Sequence, residues 1–325
     1  MISAALLLGL LVGPSLAFDA PATAKPSLAA QAAASGRPKE CQPASGKRSK
    51  KITVWQRVRF PKLAPYCEKV AQSHALLESD PQAALDAANA ADKEWTGRPG
   101  AAVARGRALL ALGKPDEALA AFEAAKKIDE SAVEDPKAMR DYARSLVAKS
   151  RARDAAAVYR VLVPRAELLP AALRSRTLLE AAFASMTAEA EAGAASPDTK
   201  LAEALAFLDE IRQKEGSPLV AEATLASALV HDRRGDPTKA GGLAAEAVRG
   251  GVDATETSWV ADPADRQALR ALSLEPVDPN GASEAWNAYL EAAKSSPYTP
   301  AARARQAALK KRGSAPAKKP KKAAK

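Results

Sequence analysis

Aromatic residues make up only 4% of this 325-residue chain, and histidine and cysteine occur twice each. So few rings leave little material for a platform on which nucleic-acid bases could stack. His74 and His231 fall on different predicted helices, with no His-x-x-x-His and no paired Cys-x-x-Cys, so no metal site assembles at recognisable spacing and no cofactor is expected. A Gly-x-Ser-x-Gly elbow is also missing. Gly46, Lys47 and Arg48 are similar to the end of a phosphate-binding loop, but Cys41 stands where its upstream glycine should be and no buried strand precedes it. The adjacent acids Asp116 and Glu117, or Asp209 and Glu210, point apart on a helix and do not form an acid and base pair. No catalytic residue is assigned, and the chain reads as non-enzymatic.

What is abundant is alanine and leucine, which dominate the 47% of hydrophobic residues. Both are strong helix formers, and alanine lets helices cross closely, so an all-α protein follows. The first residues, MISAALLLGLLVGPSLAF, carry an apolar run from Ile2 to Val12, a breaker at Pro14, and small residues at Ser15 and Ala17. That pattern predicts a signal peptide over 1–17 and an exported chain, periplasmic or secreted. The run is short for a bilayer, and no transmembrane span is expected after cleavage; an uncleaved anchor is the alternative. Export would let Cys41 and Cys67 pair as a disulfide, and two unrelated thiols are the alternative.

Residues 18–50 are rich in Ala, Pro, Ser, Gly and Lys and read as a disordered basic leader. Residues 51–64, with KITVWQRVRF, are β-branched and aromatic and predict an extended strap on the first helix. A helical period then runs over 65–311, and residues 312–325 form a Lys-, Ala- and Pro-rich disordered tail. Within the helical part, the segment beginning at Pro99 holds Gly106, Gly113, Ala118, Phe122 and Ala125 at intervals of 7, 5, 4 and 3. Small residues suit a close helix crossing, Gly113 a turn, and Phe122 the gap between helix pairs. The last three positions recur as Ala84, Ala88, Ala91; Ala155, Tyr159, Leu162; Ala204, Leu208, Ile211; Ala240, Ala244, Ala247; and Ala285, Tyr289, Ala292. Successive first members, Ala118 included, lie 34, 37, 49, 36 and 45 residues apart.

This unit resembles the tetratricopeptide repeat (TPR), in which a small residue, a turn glycine, an alanine and an aromatic recur at this spacing. The resemblance implies a right-handed α-solenoid of about six helix pairs, closed by a C-terminal capping helix, that acts as a protein-binding scaffold. It also implies that first helices line a concave groove, which puts Lys69, Ser73, Arg107, Arg140 and Arg144 toward a bound peptide or helical segment. Four of these five are basic, so an unidentified, acidic partner would suit them.

The charge of +10 is concentrated in the two ends. Residues 36–62 and 310–325 each carry a net +8, so the body between them is mildly acidic at −6. An alternative function is therefore binding of an anionic envelope surface or acidic polymer through the basic termini. Nucleic acid is the weaker partner, since no aromatics interleave with the tail lysines.

Overall fold

A computed structural model of the chain describes residues 37–42, 54–192, 199–214, 216–253, 260, 262–293 and 296–313. The expected signal peptide, most of the leader and the tail beyond residue 313 lie outside the described residues. Among the described residues there are fourteen α-helices and no strand. They are α1 (Val54–Arg59), α2 (Leu63–Leu76), α3 (Pro81–Glu94), α4 (Pro99–Ala111), α5 (Pro115–Ile128), α6 (Pro136–Ala148) and α7 (Ala152–Leu162). The second half holds α8 (Ala171–Ala192), α9 (Thr199–Gln213), α10 (Val220–Arg233), α11 (Pro237–Arg249), α12 (Pro263–Leu274), α13 (Pro279–Ala292) and α14 (Thr299–Gly313).

Helices α2 to α13 pack as six successive hairpins, and each hairpin packs against the next. The starts of many are written as Asp-Pro. Asp80, Asp135, Asp236, Asp262 and Asp278 are N-caps whose carboxylates accept backbone N–H groups at 2.7–3.2 Å. Proline follows each of them at the first helical position, where its missing N–H costs nothing. Some turns inside hairpins use a left-handed residue: Gly113 at φ 73° and Gly235 at φ 81° supply it. In the third hairpin Ser150 does the same at φ 56°, and Arg151 N–H still closes the turn on Leu146 O at 2.9 Å.

Inside a hairpin the helices approach closely. A Cβ on Gly106 would sit 3.1 Å from the Phe122 ring, so the glycine of α4 makes room for the aromatic of α5. Phe122 is fully buried and meets Tyr142 of the next hairpin edge-on, with ring centroids 5.8 Å apart. Ala118, Ala125, Ala155, Tyr159, Ala240, Ala285 and Tyr289 are likewise buried. At the last hairpin the third position differs: Ala292 is exposed and Ala293, one residue on, is buried. Ala292 is the last residue of helix α13 and faces solvent, and the cap residue after it takes the buried place.

The strap expected over 51–64 is corrected at its centre, because Val54–Arg59 is a short helix. No neighbouring strand is present among the described residues, so the segment satisfies its backbone locally, with Phe60 N–H on Gln56 O at 2.9 Å. Helix α14 lies over α13 and buries Ala302 and Leu309. Its Arg305 also reaches Asp232 of α10, at 2.5 Å, and Glu275 beyond α12, at 2.6 Å. The cap is thus held by ion pairs as well as by apolar contact.

Replacing Phe122 with alanine removes the wedge between two hairpins and should cost about 3–5 kcal/mol. Chemical denaturation of the two proteins checks this; an unchanged midpoint contradicts the wedge.

Candidate functional site

The first helices α2, α4, α6 and α8 carry charged side chains, and those of α4, α6 and α8 link in series. Arg107 of α4 donates from Nε to Asp141 of α6 at 2.9 Å. Arg140 of α6 makes a two-pronged bond to Glu180 of α8, at 2.8 and 2.6 Å. Arg144 lies 3.7 Å from both Asp141 and Glu180 and joins the two pairs. Tyr159, from the second helix α7, donates to Glu180 at 3.3 Å. Burial pulls the Arg140 guanidinium toward neutrality, but Glu180, followed by Tyr159 and Asp141, more than offsets this and holds it above its ordinary value.

Two adjoining cavities open along this face and share His74 and Arg107. One, of about 470 Å³, is bordered by Leu110, Lys137, Arg140, Asp141, Arg144 and Leu173. The other, of about 540 Å³, lies between α4, the start of α6 and residues 37–42 of the leader.

That piece of the leader is seated on the first helices. Cys41 forms a disulfide with Cys67 of α2, Cα to Cα 5.6 Å. Glu40 accepts from the Tyr66 hydroxyl at 2.7 Å and from the Gly100 N–H at 3.1 Å, in the first turn of α4. The Tyr66 oxygen accepts in turn from Ala101 N–H at 3.0 Å. Burial, and then the Glu40 carboxylate, push the Tyr66 phenol far above its ordinary pKa, so it stays a donor. Lys39 reaches Ser131 and lies 3.9 Å from Glu134. Gly100 is what lets the segment close in, since a Cβ there would collide with the Pro38 ring and come 2.8 Å from the Tyr66 oxygen.

The five residues expected to face a partner are divided by this arrangement. Arg107, Arg140 and Arg144 come together, but each is already paired with an acid of a neighbouring or its own helix. Lys69 lies apart on α2, where its Nζ is 3.5 Å from Gln72. Ser73 is fully buried, with no hydrogen-bond partner for its hydroxyl among the described residues. Sequence reasoning missed Asp141 and Glu180, Glu40, Tyr66 and Gly100. A signal for the first two exists: each acid lies 34 or 40 residues beyond its arginine, about one repeat length. Among the described residues no cluster of three metal-ligating side chains occurs, and no helix is long and apolar enough to cross a membrane.

With six stacked hairpins and a terminal helix, the chain is an all-α, TPR-like α-solenoid. No family model matches it, and no curated protein does. Among solved structures it is similar to the TPR domain of P58(IPK), at 11% identity and a TM-score of 0.34, covering 82% of this chain and 72% of that one. It is also similar to the flexible tandem repeat domain of a bacterial cellulose synthase, at 14% identity and a TM-score of 0.24, covering 78% and 99%. The fold class rests on the helix pairs of the chain itself.

Two measurements test this geometry. Glu180→Gln removes the main counter-charge of the buried Arg140 and should cost about 3–5 kcal/mol; a loss below about 1 kcal/mol in denaturation would show that solvent or Asp141 already compensates the guanidinium. Replacing Cys41 and Cys67 together by serine frees a loop of sequence separation 26. The chain-entropy limit for that loop is about 3.5 kcal/mol. Faster hydrogen exchange at the Gly100 and Ala101 amides is the expected readout, and unchanged exchange would mean that residues 37–42 stay docked without the covalent tie.

Proposed function

We propose that the chain is an exported, non-catalytic interaction scaffold of the cell envelope that holds an extended or helical segment of another protein along its first helices. One observation carries this reading: the same face already holds a piece of the chain's own leader, through Glu40 at the first turn of α4. The bordering cations Lys137 and Arg144 favour carboxylates, so the partner segment would be acidic. The arginines are paired at home, which means a partner's acid binds by joining the ladder at Arg144, whose side chain is 45% exposed, and at Lys137 beside it. No bond-making step is assigned to the face.

A photo-crosslinking residue placed at Leu110 should form an adduct with a partner in the intact envelope. The same residue at Val161, exposed on α7, should not. Combining Lys137→Glu with Arg144→Glu should weaken the Leu110 adduct by about tenfold or more. Equal adducts from both positions, or none from Leu110, would remove the face from consideration.

A further inference from the structure

Helix α1 is the most exposed apolar element of the described chain. Val54, Trp55 and Val58 are 72%, 82% and 71% exposed, although residues of these types normally seek cover. At helical spacing the three fall within about 100° of one face, with Arg57 on one flank and Arg59 on the other. Phe60 ties the helix to the body by stacking on Trp95, centroids 5.9 Å apart, and Arg98 covers the Trp95 ring at 3.9 Å.

The surrounding sequence adds charge of one sign. Between Glu40 and Glu68 there are seven basic residues, Lys47, Arg48, Lys50, Lys51, Arg57, Arg59 and Lys62, and no acid. The Cys41–Cys67 disulfide closes this stretch covalently, and Arg57, Arg59 and Lys62 are its cations among the described residues.

We propose that helix α1 and its flanking cations form a docking surface for an anionic lipid bilayer, with Val54, Trp55 and Val58 entering the headgroup boundary and Arg57, Arg59 and Lys62 meeting lipid phosphates. A lipid surface is the one anionic partner that offers an apolar phase directly beneath its charge. An acidic polymer would satisfy the cations and leave the three apolar side chains in water. The proposal is independent of the first-helix face, which lies on other helices.

The test uses the chain from residue 18 onward, sedimented with vesicles of phosphatidylcholine alone or with about a third phosphatidylglycerol. Binding is expected only to the anionic vesicles, falling as salt is raised. Joint replacement Val54→Ser, Trp55→Ala and Val58→Ser should lower the partition coefficient by about tenfold or more, and so should Arg57→Glu with Arg59→Glu. These positions are exposed, so both variants should melt like the parent protein. Lys137→Glu with Arg144→Glu should leave vesicle binding unchanged, separating a failure here from a failure of the scaffold reading. Salt-sensitive binding that survives the apolar replacements, or is lost on deleting residues 314–325, would overturn the proposal in favour of simple electrostatic attachment. Equal retention on a soluble polyanion such as polyphosphate, or self-association through α1, would overturn it too.

Discussion

Everything in this fold depends on how closely the two helices of a hairpin approach. At the second hairpin the limit is set by Gly106 beneath Phe122, where even one methyl group would press on the ring. Elsewhere alanine does the same work: Ala84, Ala91, Ala118, Ala155, Ala204 and Ala240 have no exposed surface at all. Contacts through alanine bury little apolar area per residue, so a single hairpin gains too little to stand alone. Stacking is the remedy, since each pair covers the open side of the next. Rings fill the gaps that alanine leaves: Phe122 meets Tyr142 across the seam between two hairpins, and Trp286 packs on Tyr289 within α13.

Charge serves the same stack in a different way. A carboxylate or guanidinium that is nearly covered is tolerable only beside its partner. Arg140 with Glu180, side chains 12% and 10% exposed, links α6 to α8, and Arg305 links the last helix to Asp232 and Glu275. Arg233 and Asp265, both almost fully buried, join α10 to α12. Burial pushes the Asp265 carboxyl up while Arg233 pulls it back. Because each arginine needs an acid within reach, these pairs constrain which helix can sit beside which, a constraint that alanine contacts leave loose.

The leader changes the picture of the first-helix face. Its residues 37–42 are a built part of the fold, fixed by a disulfide, a buried tyrosine and a helix start. One end of the face is thereby occupied by the chain itself, and the cavity around Leu110 and Arg144 adjoins it without being lined by residues 37–42.

Helix pairing is legible in the sequence because it rests on local chemistry. Alanine spacing, Gly113 at a turn and the strings of helix formers act within one hairpin, and Asp-Pro, a further local signal at five helix starts, marks boundaries just as plainly. The strap is not, since β-branched residues favour a strand only when a second strand is there to pair with, which is a fact about neighbours. The groove cations are readable as residues but not as a site. Whether Arg107 and Arg140 face a partner or an internal acid turns on Asp141 and Glu180, a repeat away in sequence and in contact only after the hairpins stack. The sequence by itself therefore determined the repeating unit, through contacts within about 30 residues. Only the tertiary structure decided which charges are spent inside the stack and which remain on its surface, because that depends on distances between hairpins.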